Sequence, residues 1–318
     1  MRSVIRVIDL ETGPDPLGAE PGIVEYGHTD VWTDQHDMLG NPFDWRVGQM
    51  PDDSTTTLVK PYGPIPPETS GIHNITNGDV ASAPSWEKVA PFVTFVNSPF
   101  KKIVALAAHN IEAEKTLIGR AAGDLPWICT YKVALRLWPE AASHSNNAIR
   151  YYLDPDGLDP AQACPVHRAL PDSYITAFTL REALNAGHSF ETLIKWTNEP
   201  ALLPRCKIGK WRDYGGKGKG TPWSEVDSGF LSWILTKDFD ENTMHTASFH
   251  LAQREIDQRN AWELDELNRQ YRKNGMPETE RFEKPDEEKP FTDFSHTKSD
   301  QREHPKPTAC ADTQELPL

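Results

Sequence analysis

The run Ser3-Val-Ile-Arg-Val-Ile8 is short, β-branched and closed by the Gly/Pro stretch "TGPDPLG", so it reads as a largely buried strand. Its end is acidic: "VIDLETG" places Asp9 and Glu11 two residues apart. Side chains alternate along a strand, so both carboxylates project from one face. Like charges held that close are unfavourable unless they are solvated, share a proton or bind a cation. A solvated strand end ahead of a turn and a metal site both satisfy this, and a second D-x-E at Asp286 and Glu288 shows that the pattern alone is weak.

The rest of the chain narrows the fold. "GIVEYGHTDVW" and "STTTLVKP" read as further strands, and "KIVALAAHN" is another short apolar run leading into "IEAEKTLIGRAAG", which has helical spacing and ends at Gly123. "PWICT" reads as a strand with Thr130 placed to cap the helix "YKVALRLW", and a later helix begins near Asp172 and stops at Gly187. Antiparallel-looking strands followed by alternating helices and strands predict an α/β fold, a mixed sheet covered by helices.

A chain of 318 residues with 37% hydrophobic content and mean hydropathy -0.60 has material for one sizeable core plus extensions. No apolar run approaches the roughly 20 residues needed to span a bilayer, and the start "MRSVIRVIDLETG" lacks the apolar stretch of a signal peptide. A cytoplasmic protein without a membrane partner is expected. Cys129, Cys164, Cys206 and Cys310 form no C-x-x-C pair, which argues against structural zinc and for reduced thiols. The net charge of -14 does not exclude nucleic acid, because steering depends on where charge lies and on bound cations.

That charge is uneven. From Lys195 to Gly220 there are seven Lys/Arg against two Asp/Glu, interleaved with Trp196, Trp211 and Tyr214. Basic residues with aromatics can follow a phosphate backbone and stack on bases, and the same composition fits a solvated Gly/Lys loop. It is no Walker A loop, since Gly220 follows Lys219 where Ser or Thr is required. From Glu278 onward the chain is acidic, Pro-rich and poor in aliphatic residues, as disordered tails are.

Further oxygen ligands for a hard cation at Asp9 and Glu11 are available in two places. Asp172 lies five positions after His167 in "HRALPD", which would set a proton acceptor beside a metal-binding acid; a surface His and an N-cap Asp would look the same. Glu114, in "AHNIEAE", begins a helix directly after a strand, where the helix dipole also favours its charge.

Together "VIDLETG", "AHNIEAE" and "HRALPD" resemble the three motifs of the DEDDh, DnaQ-like 3′–5′ exonucleases. "GIVEYG", "IPPETSGIHNIT", "PWICTYKVALRLWP", "SNNAI" and "IGKWR…GKGKG…GFLSWIL" extend the likeness over about residues 3 to 235. The resemblance implies a ribonuclease H-like mixed five-stranded sheet flanked by helices. The expected organisation is an exonuclease domain over 1–190, a basic Gly/Lys/aromatic module over 191–240, a long helix over 241–275 and a disordered acidic tail over 276–318. It implies two Mg²⁺ ions, replaceable by Mn²⁺, held by Asp9, Glu11, Glu114 and Asp172, with His167 as general base in a phosphodiester hydrolysis. Leu10 and Thr12 would meet the terminal base, and Asn110, Lys210, Arg212, Lys217 and Lys219 would contact substrate. That substrate would be DNA with a single-stranded or frayed 3′ end, in repair or phage-type metabolism. RNA of the same polarity, or a binding protein with an impaired metal site, are the other readings. One departure stands out: where the family has Asp four residues after the Asn of its HN pair, this chain has Glu114.

Overall fold

The computed structural model describes residues 1–13, 22–50, 53–213 and 220–273; Lys217, Lys219, Tyr214 and the acidic tail lie outside the described residues. Those residues divide into two compact units, one of residues 1–134 and 141–199, the other of residues 135–140 and 200–273. The boundary falls after Glu199, beyond the division expected at 190/191, and the long helix groups with the segment that precedes it.

In the first unit the strands are β1 (Arg2–Gly13), β2 (Gly22–Thr33), β3 (Gln35–His36), β4 (Pro42–Phe43), β5 (Arg46–Val47), β6 (Ser54–Leu58), β7 (Lys101–Ala108) and β8 (Trp127–Cys129). The main sheet runs β5-β2-β1-β7-β8, with β6 also paired to β2. β5 takes Val31 and Trp32 while β6 takes Glu25 to Thr29, so two short segments share one edge of β2. The sheet is therefore five strands wide, as expected, though built from six segments. β1 is antiparallel to β2 and parallel to β7, which makes the sheet mixed.

Helices α1 (Pro67–His73), α2 (Trp86–Val89), α3 (Glu112–Ile118), α4 (Thr130–Leu137), α5 (Asn146–Leu153), α6 (Ala169–Asn185) and α7 (Phe190–Asn198) flank this sheet. Val4, Ile5, Val7 and Ile8 of β1 are all buried, as a run apolar on both faces requires. Val4 and Ile8 join Tyr26, Leu106, Ile111 and Ile118 in one core cluster, each buried side chain contributing roughly 1.5–3 kcal/mol. α6 packs on β1 and β2, with Tyr174, Ile175 and Phe178 in a core cluster of their own. One buried charge pair crosses the sheet: Arg6 stands opposite Asp30 and bonds it through Nε (2.8 Å) and Nη2 (3.0 Å).

The second unit holds β9 (Arg205–Cys206), β10 (Thr221–Pro222), α8 (Ser228–Ile234) and α9 (Glu241–Lys273). Its core is Cys206, Trp211, Trp223, Leu231, Ile234 and Ala247. Trp211, expected among stacking aromatics, is thus core, and Trp196 lies in α7 of the first unit with its ring against His188. Asp240 caps α9 by accepting from the Thr243 backbone N–H at 3.0 Å, and Arg254 ties the helix to Ser228 Oγ and to the Ser224 and Val226 carbonyls. No helix among the described residues is long and apolar enough to cross a membrane.

Candidate active site

Asp9 and Glu11 occupy the C-terminal end of β1, and Asp172 the first turn of α6. One carboxylate oxygen from each lies within 4.8 Å of the others. Three details of the sequence bring α6 this close. Gly27 sits opposite Asp9 in the β1–β2 register, and a Cβ there would lie 2.5 Å from the Ala169 carbonyl carbon, so only glycine lets the start of α6 rest on β2. Asn146 Nδ2 donates to the Asp172 carbonyl at 2.9 Å and Asn146 Oδ1 accepts from Thr176 Oγ1 at 3.0 Å, joining α5 to the first turns of α6. Thr29 and Ser173 hydroxyls meet at 3.2 Å.

Asp172 is not the N-cap of α6. That position belongs to Arg168, which makes no side-chain cap, and Asp172 Oδ2 instead accepts the backbone N–H of His167 at 2.9 Å. His167 is exposed, with φ 59 in the left-handed region. Asn110 leaves β7 with φ 69 and is also exposed. His109, beside it, is held by Thr130 Oγ1 at 3.1 Å and the His144 carbonyl at 2.8 Å. Burial pushes His109 down to about 4, so its ring is neutral and Nε2–H donates to that carbonyl. Thr130, expected as a cap for α4, is its first residue and reaches back to the Ala108 carbonyl at 3.2 Å. The β7–α3 junction and the start of α4 are locked together by these bonds.

The acids burden one another. Burial, then Asp172, Glu11 and Glu114, hold Asp9 well above the usual carboxylate range. Burial, with Asp172 and Glu25 adding to it and Arg168 opposing, pushes Glu11 up to about 8. Burial raises Asp172 against the pull of the His167 amide and side chain. Glu114, in α3, lies outside the 4.8 Å triad but near enough to act on Asp9; burial takes it up to about 7. It is 8% exposed, and its buried Oε2 has no hydrogen-bond partner. An all-oxygen donor set with a desolvated, unpartnered carboxylate oxygen beside it fits hard divalent cations.

The other expected contacts scatter. Leu10 packs on the core cluster of Val4 and Ile8, turned by strand alternation away from the three carboxylates, and Thr12 is partly buried. Lys210 and Arg212 are exposed in the second unit; Lys210 Nζ meets Asp227 at 3.1 Å, and Arg212 Nε donates to the Lys207 carbonyl at 3.3 Å. Reading the sequence missed Gly27, Asn146, Glu25 and Arg168. Glu25 gave a signal: an acid inside a fully buried strand must find partners. Burial raises it, but the Arg168 side chain and the Ala169 amide outweigh burial and leave Glu25 below its ordinary value.

No model of a protein family matches the chain. Exodeoxyribonuclease 10 of Escherichia coli strain K12 is 32% identical over 233 residues, spanning 73% of this chain and 90% of that protein. The chain belongs to the DEDDh 3′–5′ exonucleases. Among solved structures, exonuclease X in complex with 5′ overhanging duplex DNA is 30% identical, with a TM-score of 0.44, covering 61% of this chain and 99% of that one. The nuclease domain of 3′hExo bound to rAMP is 16% identical at a TM-score of 0.41, covering 58% of this chain and 92% of that one. In this exonuclease the sheet is mixed and five strands wide, as the motifs implied, and the first and third motifs meet at its acidic strand end.

Proposed function

We propose that this exonuclease hydrolyses DNA from a free 3′ end, single-stranded or frayed, and releases nucleoside 5′-monophosphates. The observation that carries this reading is the convergence of Asp9, Glu11 and Asp172 within 4.8 Å, with His167 tied to Asp172. DNA is chosen because the relative at 32% identity is an exodeoxyribonuclease. Asp9, Glu11, Asp172 and Glu114 would hold two divalent cations, Mg²⁺ or in its place Mn²⁺. Bound there, such ions supply positive charge that activates a water and stabilises charge developing on the phosphate oxygens.

The chain's own groups do the rest. His167 takes the proton from the attacking water on an imidazole nitrogen as the new O–P bond forms and the P–O bond to the 3′ oxygen breaks, its electron pair passing to that oxygen, which takes a proton from solvent. Its exposure gives it access to solvent and substrate. Asp172 accepts the His167 amide and so fixes base and ligand to one another. Asn110 and Thr12 would bind the terminal nucleotide, and Lys210, Arg212, Lys217 and Lys219 the backbone beyond it; Leu10, turned into the core, would not reach it.

Titration of the metal-free protein with Mn²⁺ tests the ligand set. Wild type is expected to take up two ions, and Asp9→Ala and Asp172→Ala to lose affinity by at least about ten-fold. Unchanged stoichiometry and affinity in both variants would refute it.

A further inference from the structure

Glu25, the fourth residue of β2, stands directly opposite Glu11 in the β1–β2 register and is 1% exposed. Like charges directly across a strand pair are unfavourable, and Glu25 is not among the acids whose oxygens converge. Its carboxylate is committed elsewhere. Arg168 donates to it through Nε (2.8 Å, to Oε2) and Nη2 (2.7 Å, to Oε1). The Ala169 backbone N–H adds a bond of 3.0 Å to Oε2, and Thr56 Oγ1 one of 2.9 Å to Oε1. One buried acid thus grips residues 168 and 169, the first by its side chain and the second by its backbone.

The residue just before this grip is His167, whose φ of 59 an L-residue adopts only when its surroundings hold it there. Its amide is held by Asp172 on one side. On the other, the chain enters α6 through Arg168, whose planar fork fixes direction as well as distance. We propose that Arg168, clamped on Glu25, is a positioning residue for the hydrolysis: it sets the direction from which the His167 imidazole reaches the attacking water. This rests on the reading of His167 as the general base. A pair that only stabilised the fold would change melting behaviour without acting through His167.

Single-turnover rates on end-labelled single-stranded DNA separate the cases, measured for wild type, Arg168→Ala, His167→Ala and the double variant, each with its thermal midpoint. Misplacing a catalytic group by about 1 Å costs on the order of 100-fold, so Arg168→Ala is expected to slow the chemical step by about 10- to 100-fold. The affinity for DNA should stay within about two-fold of wild type, and Arg168→Lys, which keeps the charge and one bond, should recover part of the rate. In the His167→Ala background the same change should alter the rate by less than about two-fold, since the group it aims is gone. If Arg168→Ala costs the same factor in both backgrounds, or costs nothing in wild type, the proposal is wrong while His167 can still be the base. If His167→Ala alone retains the wild-type rate, the reading of the base fails and the proposal with it. Should Arg168→Ala not fold, the same comparison is made with Arg168→Lys, where a rate loss present in wild type and absent in His167→Ala supports the proposal and an equal loss in both overturns it.

Discussion

Glu114 carries one methylene more than the aspartate its family places at this point, and its environment shows what the extra length does. The side chain is buried at 8% exposure, its Oε2 has no partner, and burial lifts it to about 7. An isolated acid would be a standing cost in such a place, because a desolvated carboxylate needs a counter-charge or a proton. A cation held at the Asp9 end of the site, as proposed, would supply the counter-charge. Glu114→Gln keeps the shape and removes the charge; turnover of labelled DNA with Mg²⁺ is expected to fall by at least about ten-fold. Were Glu114 only a buried acid, Gln would leave turnover intact and raise the thermal midpoint. Glu114→Asp, which restores the family's residue, should retain activity.

The contact between β2 and α6 places the third carboxylate. Gly27→Ala would drive a Cβ to within 2.5 Å of the Ala169 carbonyl carbon, and backbone cannot yield as a side-chain tip does. The expected cost is about 1–3 kcal/mol in urea unfolding, with Mn²⁺ affinity lowered as Asp172 moves from Asp9. A variant that loses stability but keeps wild-type Mn²⁺ affinity would show that α6 does not need this seat. The sequence displayed both ends of this arrangement without the seat itself. Strand ends, helix starts and the acids on them follow local rules of alternation, capping and turn chemistry, which is why Asp9, Glu11 and Asp172 stand out as candidates in the sequence. Gly27 looked like an ordinary strand glycine, and Glu25 meets Arg168 across 143 residues, a pairing no local pattern encodes. Trp211 was misread for a related reason: a basic, Gly-rich neighbourhood suggested exposure, while its ring packs with Trp223, Leu231 and Ile234. The shared edge of β2 was equally hidden, because a two-residue strand such as β5 has no periodicity to read.

Across the whole molecule, the acidic cluster couples folding, pH and metal. Glu11 at about 8 and Glu114 at about 7 both stand above their ordinary value of 4.5. Groups raised on folding stabilise the native state while protonated, so their contribution is complete below about 4.5 and is lost as pH rises through 7 and 8. A divalent cation bound there would replace the proton. Added Mg²⁺ should therefore raise the melting temperature of the metal-free protein more at pH about 8.5 than at about 5.5. An equal or smaller rise at the higher pH would contradict the coupling. The net charge of -14 makes the same demand, since a polyanionic substrate meets an acidic protein and can enter an acidic cleft only where cations invert its sign. The decisive measurement is a time course on 3′- and 5′-end-labelled single-stranded DNA, with an RNA of the same sequence alongside. It is run with Mg²⁺, Mn²⁺ or EDTA, for wild type and Asp9→Ala. Metal-dependent release of mononucleotides from the 3′ end of DNA, abolished by EDTA and in Asp9→Ala, is the expected result; DNA left intact under every metal, or an Asp9→Ala variant as active as wild type, would contradict it.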